Sequence, residues 1–395
     1  MLTASTGGGH DMRARSFERW ASELTDWQVS LHWTLENTHP LYRLGVETYN
    51  VIQRYLPVAH HAYFGFLEVA SLHRGPSRIA GGKQFQRVVR ELDPDVVLST
   101  HAHLNHGFFV LARHAVAPKR LRCVTYCGEL AGGYGFSRHW ASREADLFIG
   151  AVEETTATAR RLGLDPARTV TGGFLLDPRI YDPPAPAGQR REFVRDTLEL
   201  DPDTFTLLLA TGAAGANNHL ALLEEIHAAD LALQCVVLCG KNPRTLERVR
   251  EWGRANPGFK LKALGYWSRM PILLHSVSAV VARPGSGLAS EAIVCGRPLI
   301  LNGIGGVMPQ ERLTTAYLAS HDAGLRIARP ADLVPIVRGW LSDEASFARA
   351  RCAIAGARPG SHPRDVLELV AGIAPPGRSA RPRALAPAGG GASGT

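Results

Sequence analysis

The chain has 395 residues, of which 45% are hydrophobic and 20% charged; this is more than one hydrophobic core usually serves, and the balance is that of a soluble globular protein rather than a disordered or fibrous one. No apolar run reaches the roughly 18–20 residues of a membrane-spanning helix and the first residues lack the order of a secretory signal, so a cytoplasmic protein is expected. The net charge of +8 and pI near 9.4 suit an anionic partner surface, lipid or nucleic acid, although a genome rich in arginine codons gives the same excess; with no nucleic-acid-binding module pattern visible, nucleic acid is not expected.

The chain opens with Ser5-Thr6-Gly7-Gly8-Gly9-His10, a glycine turn leading into a helix. A buried strand of about five or six residues should precede such a turn. Only Met1-Leu2-Thr3-Ala4 are available, so either the strand is shortened or the coding sequence starts further upstream. A neutral His10 imidazole could take a proton from an attacking hydroxyl; a capping or packed histidine is the competing reading. Residues 39–73 carry Tyr42, Tyr49, Tyr55, Tyr63, Phe64 and Phe66 among Leu, Val and Arg, with His60 and His61. That mixture suits a membrane interface or lipid-accepting groove, and equally ordinary core helices.

Strands are predicted at 95–100, 121–126 and 146–151, with helical stretches between and after them. His101, His103 and His106 follow the first of these, but no carboxylate or cysteine accompanies them at ligand spacing, and no metal site is expected. Cys123/Cys127 and Cys235/Cys239 read as buried reduced thiols. Asp177-Pro178 and the Pro-rich stretch 182–188 mark a linker, which divides the chain into domains at 1–178 and 179–372. Residues 373–395, dominated by Ala, Pro, Gly and Arg, read as a disordered tail.

The second half repeats the alternation. Strands at 205–210, 235–240, 259–264, 278–282 and 298–302 are separated by helices near 218–229, 243–255, 268–276, 288–295 and 310–320, giving a second doubly wound α/β sheet. The strand at 278–282 runs into Pro284-Gly285-Ser286-Gly287-Leu288-Ala289-Ser290-Glu291-Ala292. Glycines there let backbone N–H groups converge on an anion at a helix N-terminus, a diphosphate site in form. Glu291, one turn into that helix, leans back toward the loop, where a carboxylate can take both hydroxyls of a ribose. Gly303-Ile304-Gly305-Gly306-Val307-Met308-Pro309-Gln310-Glu311 lies at the same sheet edge, and Gln310 with Glu311 could bond the hydroxyls of a sugar; Glu311 as a helix cap is the alternative. The loop 211–218, containing Gly212, offers small residues near a phosphate.

Together these motifs, with Pro94-Asp95 through His101, Gly265-Tyr266 with Met270, and Gly296-Arg297-Pro298, span about residues 3 to 320. In order and spacing they resemble the monogalactosyldiacylglycerol synthases and bacterial diacylglycerol glucosyltransferases, of the glycosyltransferase family 28 kind. The resemblance implies a GT-B fold of two Rossmann-like domains facing across a cleft, a UDP-sugar donor as substrate with no further cofactor, and inversion at the anomeric carbon without a metal. It implies a donor site of Gly9, Gly212, Tyr266, Met270, Gly285, Ser286, Gly287, Leu288, Glu291, Gln310 and Glu311. His10 stands at the place of the family's proposed catalytic histidine, with Glu129 as a second catalytic carboxylate. The segment 39–73 corresponds to the family's membrane-associated acceptor region. Two departures stand out: Thr314 replaces the Asn that usually follows Gln-Glu by three residues, and Tyr126-Cys127-Gly128-Glu129-Leu130 replaces a Thr-Asp pattern. The expected activity is transfer of a hexose from a UDP-sugar to a lipid hydroxyl such as that of diacylglycerol, by an enzyme peripheral on the anionic inner face of the cell membrane. A UDP-N-acetylglucosamine 2-epimerase and a non-catalytic sugar-nucleotide-binding protein are the alternatives.

Overall fold

A computed structural model of the chain describes residues 1–55, 57–70, 73–210 and 218–374. Two parallel six-stranded sheets are built in succession. The first contains β1 (Leu2–Thr3), β2 (His32–Trp33), β3 (Val96–Ser99), β4 (Arg122–Cys127), β5 (Leu147–Gly150) and β6 (Thr169–Thr171) in the order β2-β1-β3-β4-β5-β6. The second contains β7 (Thr206–Ala210), β8 (Gln234–Leu238), β9 (Leu261–Leu264), β10 (Ala279–Ala282), β11 (Leu299–Asn302) and β12 (Arg326–Ile327) in the order β12-β11-β10-β7-β8-β9. The inner strands carry continuous apolar runs, Leu207-Leu208-Leu209 and Val280-Val281 among them, because parallel strands are covered by helices on both faces.

The opening strand is short, only Leu2–Thr3. Leu2 and Thr3 nevertheless pair on one side with His32 and Trp33, and Leu2 pairs with Ser99 on the other, so β1 sits inside the sheet. The edge strands β2, β6 and β12, of two or three residues, carry no sequence periodicity and are new from the structure.

In each sheet the chain reverses its direction of travel at one place: between β1 and β3 in the first, and between β7 and β10 in the second. Loops leaving the carboxyl ends of strands at such a point diverge and leave a crevice. The Gly7–Gly9 turn follows β1 and the Pro284–Ser286 turn follows β10, so both glycine turns of the sequence stand at switch points.

One apolar cluster joins the halves. It runs from Phe17 and Trp20 through Phe174, Leu175 and Leu176 to Ala289, Ile293 and Leu313. Within it the Tyr126 hydroxyl donates to Gly173 O (2.7 Å) and accepts from Leu175 N (2.8 Å), and Trp20 Nε1 donates to Leu176 O (2.8 Å). Five cysteines are buried, whereas Cys352 is exposed.

The helix Pro363–Ile373 departs from the expected division at 179–372, because it packs against the helix Gly9–Leu24 of the first half. His362 at its start meets the Trp20 ring at 5.4 Å, and Val366 fills the space beside Gly172. Its apolar face, Val366, Leu367 and Val370, explains the docking. Ile373, placed in the expected tail, ends this helix, and 375–395 lie outside the described residues.

Tyr126→Phe keeps the ring but strands a buried carbonyl and a buried N–H. It should lower stability by about 1–3 kcal/mol, read as an earlier urea midpoint in unfolding followed by tryptophan fluorescence.

Candidate active site

The helix Gly9–Leu24 begins after two left-handed residues, Gly7 (φ 70°) and Gly8 (φ 82°), a conformation that only glycine adopts at little cost. Side chains from elsewhere hold this turn. Glu36 accepts from Ser5 N (2.6 Å), and Asn50 donates to Ser5 O (3.0 Å) while accepting from Gly7 N (3.1 Å). Asp11 accepts from the Ser5 and Thr3 hydroxyls.

The turn delivers His10 to the end of β3, where its Nδ1–H donates to the Thr100 carbonyl at 2.6 Å. A carbonyl can only accept, so the bond fixes the tautomer and leaves the lone pair on Nε2. The ring lies 4.6 Å from His101 and 6.0 Å from Trp140. Burial, then the nearby Arg13 charge, lowers its pKa to about 4, so the imidazole is neutral at working pH.

Arg13, one turn further, is buried at 5% exposure. Its guanidinium donates to Gly9 O (3.1 Å), Gly128 O (2.7 Å) and the Ser286 hydroxyl (2.8 Å), and it makes no direct ion pair among the described residues. Gly128 is required by this packing, since a Cβ there would stand 1.8 Å from Arg13 Nε. Glu129 follows immediately. Burial pushes its carboxyl up to about 7, against the pull of Arg13.

Across the cleft, the helix Ser286–Val294 starts after Gly285 with no side-chain cap, so its first N–H groups are left for an anion or water. Met12 Cε lies 3.4 Å from where a Gly287 Cβ would be, and Leu288 packs on the shared core. Burial raises the Glu291 carboxyl to about 7. The structure thus brings Gly9, His10, Glu129, Ser286 and Gly287 into one neighbourhood around Arg13.

The third glycine loop differs in detail from expectation. Both oxygens of Glu311 are already taken: Arg283 bonds them from Nε (3.1 Å) and Nη2 (2.5 Å), and Met308 N donates to Oε2 (2.9 Å). Arg283 also holds Ile304 O and Gly306 O. Glu311 therefore shapes the loop rather than presenting a free carboxylate to a sugar, and it does so from within its own helix, whose first turn it occupies. The Gln310 amide donates to the Tyr49 hydroxyl at 2.7 Å and contacts Met308 Sδ at 3.7 Å. Thr314 Oγ1 is buried without a partner among the described residues.

Tyr266 stands exposed after β9 with the Lys241 ammonium 5.3 Å from its ring centre, and Met270 opens the helix Met270–Ser276. Gly212 lies outside the described residues.

The histidines after β3 are engaged with protein groups: His101 Nε2 with the Thr6 hydroxyl (3.1 Å) and Nδ1 with His103 N (3.3 Å), and His106 Nε2 with His139 O (3.1 Å), while the His103 ring lies tilted against His73, His101 and His139. Among the described residues no three such side chains converge as metal ligands. Arg13, Tyr49, Asn50 and Arg283 were not singled out from sequence as site residues. Each acts through a contact whose partner is remote in the chain, and Arg13 alone carried a local signal, lying four residues after Gly9 on the same helix face.

No family model matches the chain. Its relatives are nonetheless consistent. It is 22% identical over 357 residues to a processive diacylglycerol beta-glucosyltransferase of Bacillus subtilis, covering 89% of this chain and 88% of that one. It is 23% identical over 365 residues to monogalactosyldiacylglycerol synthase 3 of Arabidopsis thaliana, covering 87% and 74%. The chain resembles the diacylglycerol glycosyltransferases. Among solved structures, HepE of Anabaena in complex with UDP and glucose superposes with a TM-score of 0.53 at 14% identity, covering 90% of this chain and 93% of that one. The UDP-GlcNAc 2-epimerase of Neisseria meningitidis gives 0.51 at 12%, covering 75% and 80%. The fold is GT-B.

Acid should destabilise the protein in a defined window. His10, His60, His73 and His106 are all lowered to about 4 by burial. A histidine depressed in the folded state is protonated first in the unfolded chain, so its contribution is intact above about pH 6.5 and is lost as pH falls toward 4. Glu129 and Glu291, raised to about 7, act in the opposite sense between pH 7 and 4.5. The histidines outnumber them, so the urea midpoint should fall between pH 6.5 and 4; a flat or rising midpoint contradicts the assignment of buried neutral imidazoles.

Proposed function

We propose that the protein transfers a hexose from a UDP-sugar to a lipid hydroxyl, diacylglycerol being the acceptor class its relatives name. The observation that carries this reading is the buried Arg13 guanidinium, which makes no direct ion pair among the described residues, set between the His10 turn and the uncapped N-terminus of the helix Ser286–Val294. A buried cation without a direct ion pair is costly, and an anionic ligand at that place relieves the cost. The diphosphate of a UDP-sugar meets Arg13 and the amides of Ser286 and Gly287 there. Glu291 takes the ribose hydroxyls, the backbone near Tyr266 and Met270 the uracil, and Gln310 the sugar.

In the transfer step the acceptor oxygen forms its bond to the anomeric carbon as the bond to the β-phosphate oxygen breaks, with inversion. The electron pair leaves on UDP, where Arg13 and the helix N-terminus stabilise it. The acceptor proton passes to His10 Nε2. The His10 pKa of about 4 in the free protein rises once a dianionic diphosphate sits beside it, as an opposite charge within a few ångströms favours the protonated form. Glu129, poised near neutrality, orients the acceptor hydroxyl.

Lipid access is supported by the segment 39–70. Leu41, Leu44, Val51, Val58, Phe66 and Val69 are all more than half exposed and form an apolar surface on its helices. No helix among the described residues is long and apolar enough to cross a membrane. We therefore place the protein peripherally, on an anionic cytoplasmic membrane face that its excess positive charge suits. An epimerase shares the fold but has no use for this surface.

Incubation with UDP-glucose or UDP-galactose and vesicles containing diacylglycerol and anionic lipid should release UDP and form glycolipid. UDP release that does not depend on the lipid would point away from a lipid acceptor. His10→Ala should lower turnover at least about tenfold while leaving UDP affinity unchanged. Glu291→Ala should weaken UDP binding by about tenfold in calorimetry, and an unchanged affinity removes the ribose assignment.

A further inference from the structure

Tyr49 comes from the helix Pro40–Tyr55 of the first half, yet its hydroxyl is the partner of Gln310, 261 residues away in the second. The ring is fixed edge-on to His60 at 4.4 Å, with Tyr63 at 6.2 Å. Burial, with the charges of Glu129 and Glu311 behind it, pushes the phenol pKa well above its ordinary value, so the group keeps its proton. A phenol that accepts one hydrogen bond from Gln310 retains its own O–H donor and a second lone pair.

Gln310 has little freedom to turn away. Its backbone follows Pro309, whose carbonyl lies so close to Gly135 that a Cβ there would be 1.9 Å from it, and Gly135 holds a φ of 108°. The loop before it is tied by the Arg283–Glu311 pair. The neighbouring Asn50 side chain is bonded to the Ser5–Gly7 turn that presents His10. One helix therefore reaches both the residue expected to contact the sugar and the turn carrying the base.

We propose that Tyr49 is a sugar-specificity residue of the donor site: its hydroxyl and the Gln310 amide together read one hydroxyl of the transferred hexose. This rests on the reading of Gln310 given above. A paired donor and acceptor at a fixed position satisfy a hydroxyl of one configuration. They leave buried polar groups unpaired when its epimer is bound, which is the strong form of discrimination. The acceptor-side segment thus takes part in choosing the donor.

The test compares Tyr49→Phe with the wild type, since phenylalanine keeps the packing on His60 and Tyr63. The ratio of kcat/KM for UDP-glucose over UDP-galactose, which differ at one hydroxyl, should move by about fivefold or more, with UDP affinity in calorimetry unchanged. Gln310→Ala should move the ratio in the same direction, and the double variant should move it no further than the larger single effect. An unchanged ratio in Tyr49→Phe overturns the proposal, as does a loss of UDP affinity that shows the residue merely supports the fold. A wild-type protein that binds UDP but transfers neither hexose contradicts the donor reading itself, and the Tyr49 assignment with it.

Discussion

Everything at the cleft depends on one buried guanidinium. Arg13 donates to a carbonyl of the turn after β1, to a carbonyl after β4 and to a hydroxyl at the helix start after β10. Those three segments belong to both halves of the molecule, and the side chain that joins them carries a positive charge into a region from which water is largely excluded. Hydrogen bonds to carbonyls and a hydroxyl satisfy its donors without neutralising the charge. The residual positive potential faces the place where both sheets reverse direction, so the fold's own crevice and the site's electrostatics coincide.

The surrounding groups follow from that placement. His10 is held neutral by burial and by Arg13, while Glu129 is raised by burial and partly drawn back by the same charge. In the proposed reaction an anion in the cleft shifts the balance for both, favouring protonation of the histidine. On the second half, the Arg283–Glu311 pair fixes the glycine loop from behind, which frees Gln310 to reach Tyr49 across the cleft. The helix Pro40–Tyr55 connects the two halves here: its outer residues Leu41, Leu44 and Val51 are exposed, while Asn50 holds the Gly7–Gly9 turn and Tyr49 meets Gln310 at the end of the 303–311 loop.

Much of the architecture was legible because parallel strands buried on both faces are written as local apolar runs. The eight strands predicted between 95 and 302 recur as β3, β4, β5, β7, β8, β9, β10 and β11. The short strands β2, β6 and β12 were not, since two or three residues carry no period. The packing of the helix Pro363–Ile373 on the first half was not legible because its partner, Trp20 on the first helix, is remote in sequence. At the site, the glycine turns and His10 announced themselves through local chemistry. Arg13 and Arg283 did not: an arginine in a basic chain looks like solvated surface until its buried partners are seen. The pairing of Glu311 was hidden for a related reason, because a carboxylate beside a glutamine at a loop end suits a sugar, and only the position of Arg283 shows that its oxygens accept from a guanidinium.

The central claim is that the crevice at the paired switch points is a UDP-sugar site closed by Arg13. A crystal structure of the protein with UDP tests it most directly. The account predicts the diphosphate against the amides of Ser286 and Gly287 within reach of the Arg13 guanidinium, and the ribose on Glu291. UDP bound elsewhere, or a diphosphate with Arg13 turned away and Glu291 unoccupied, would contradict it.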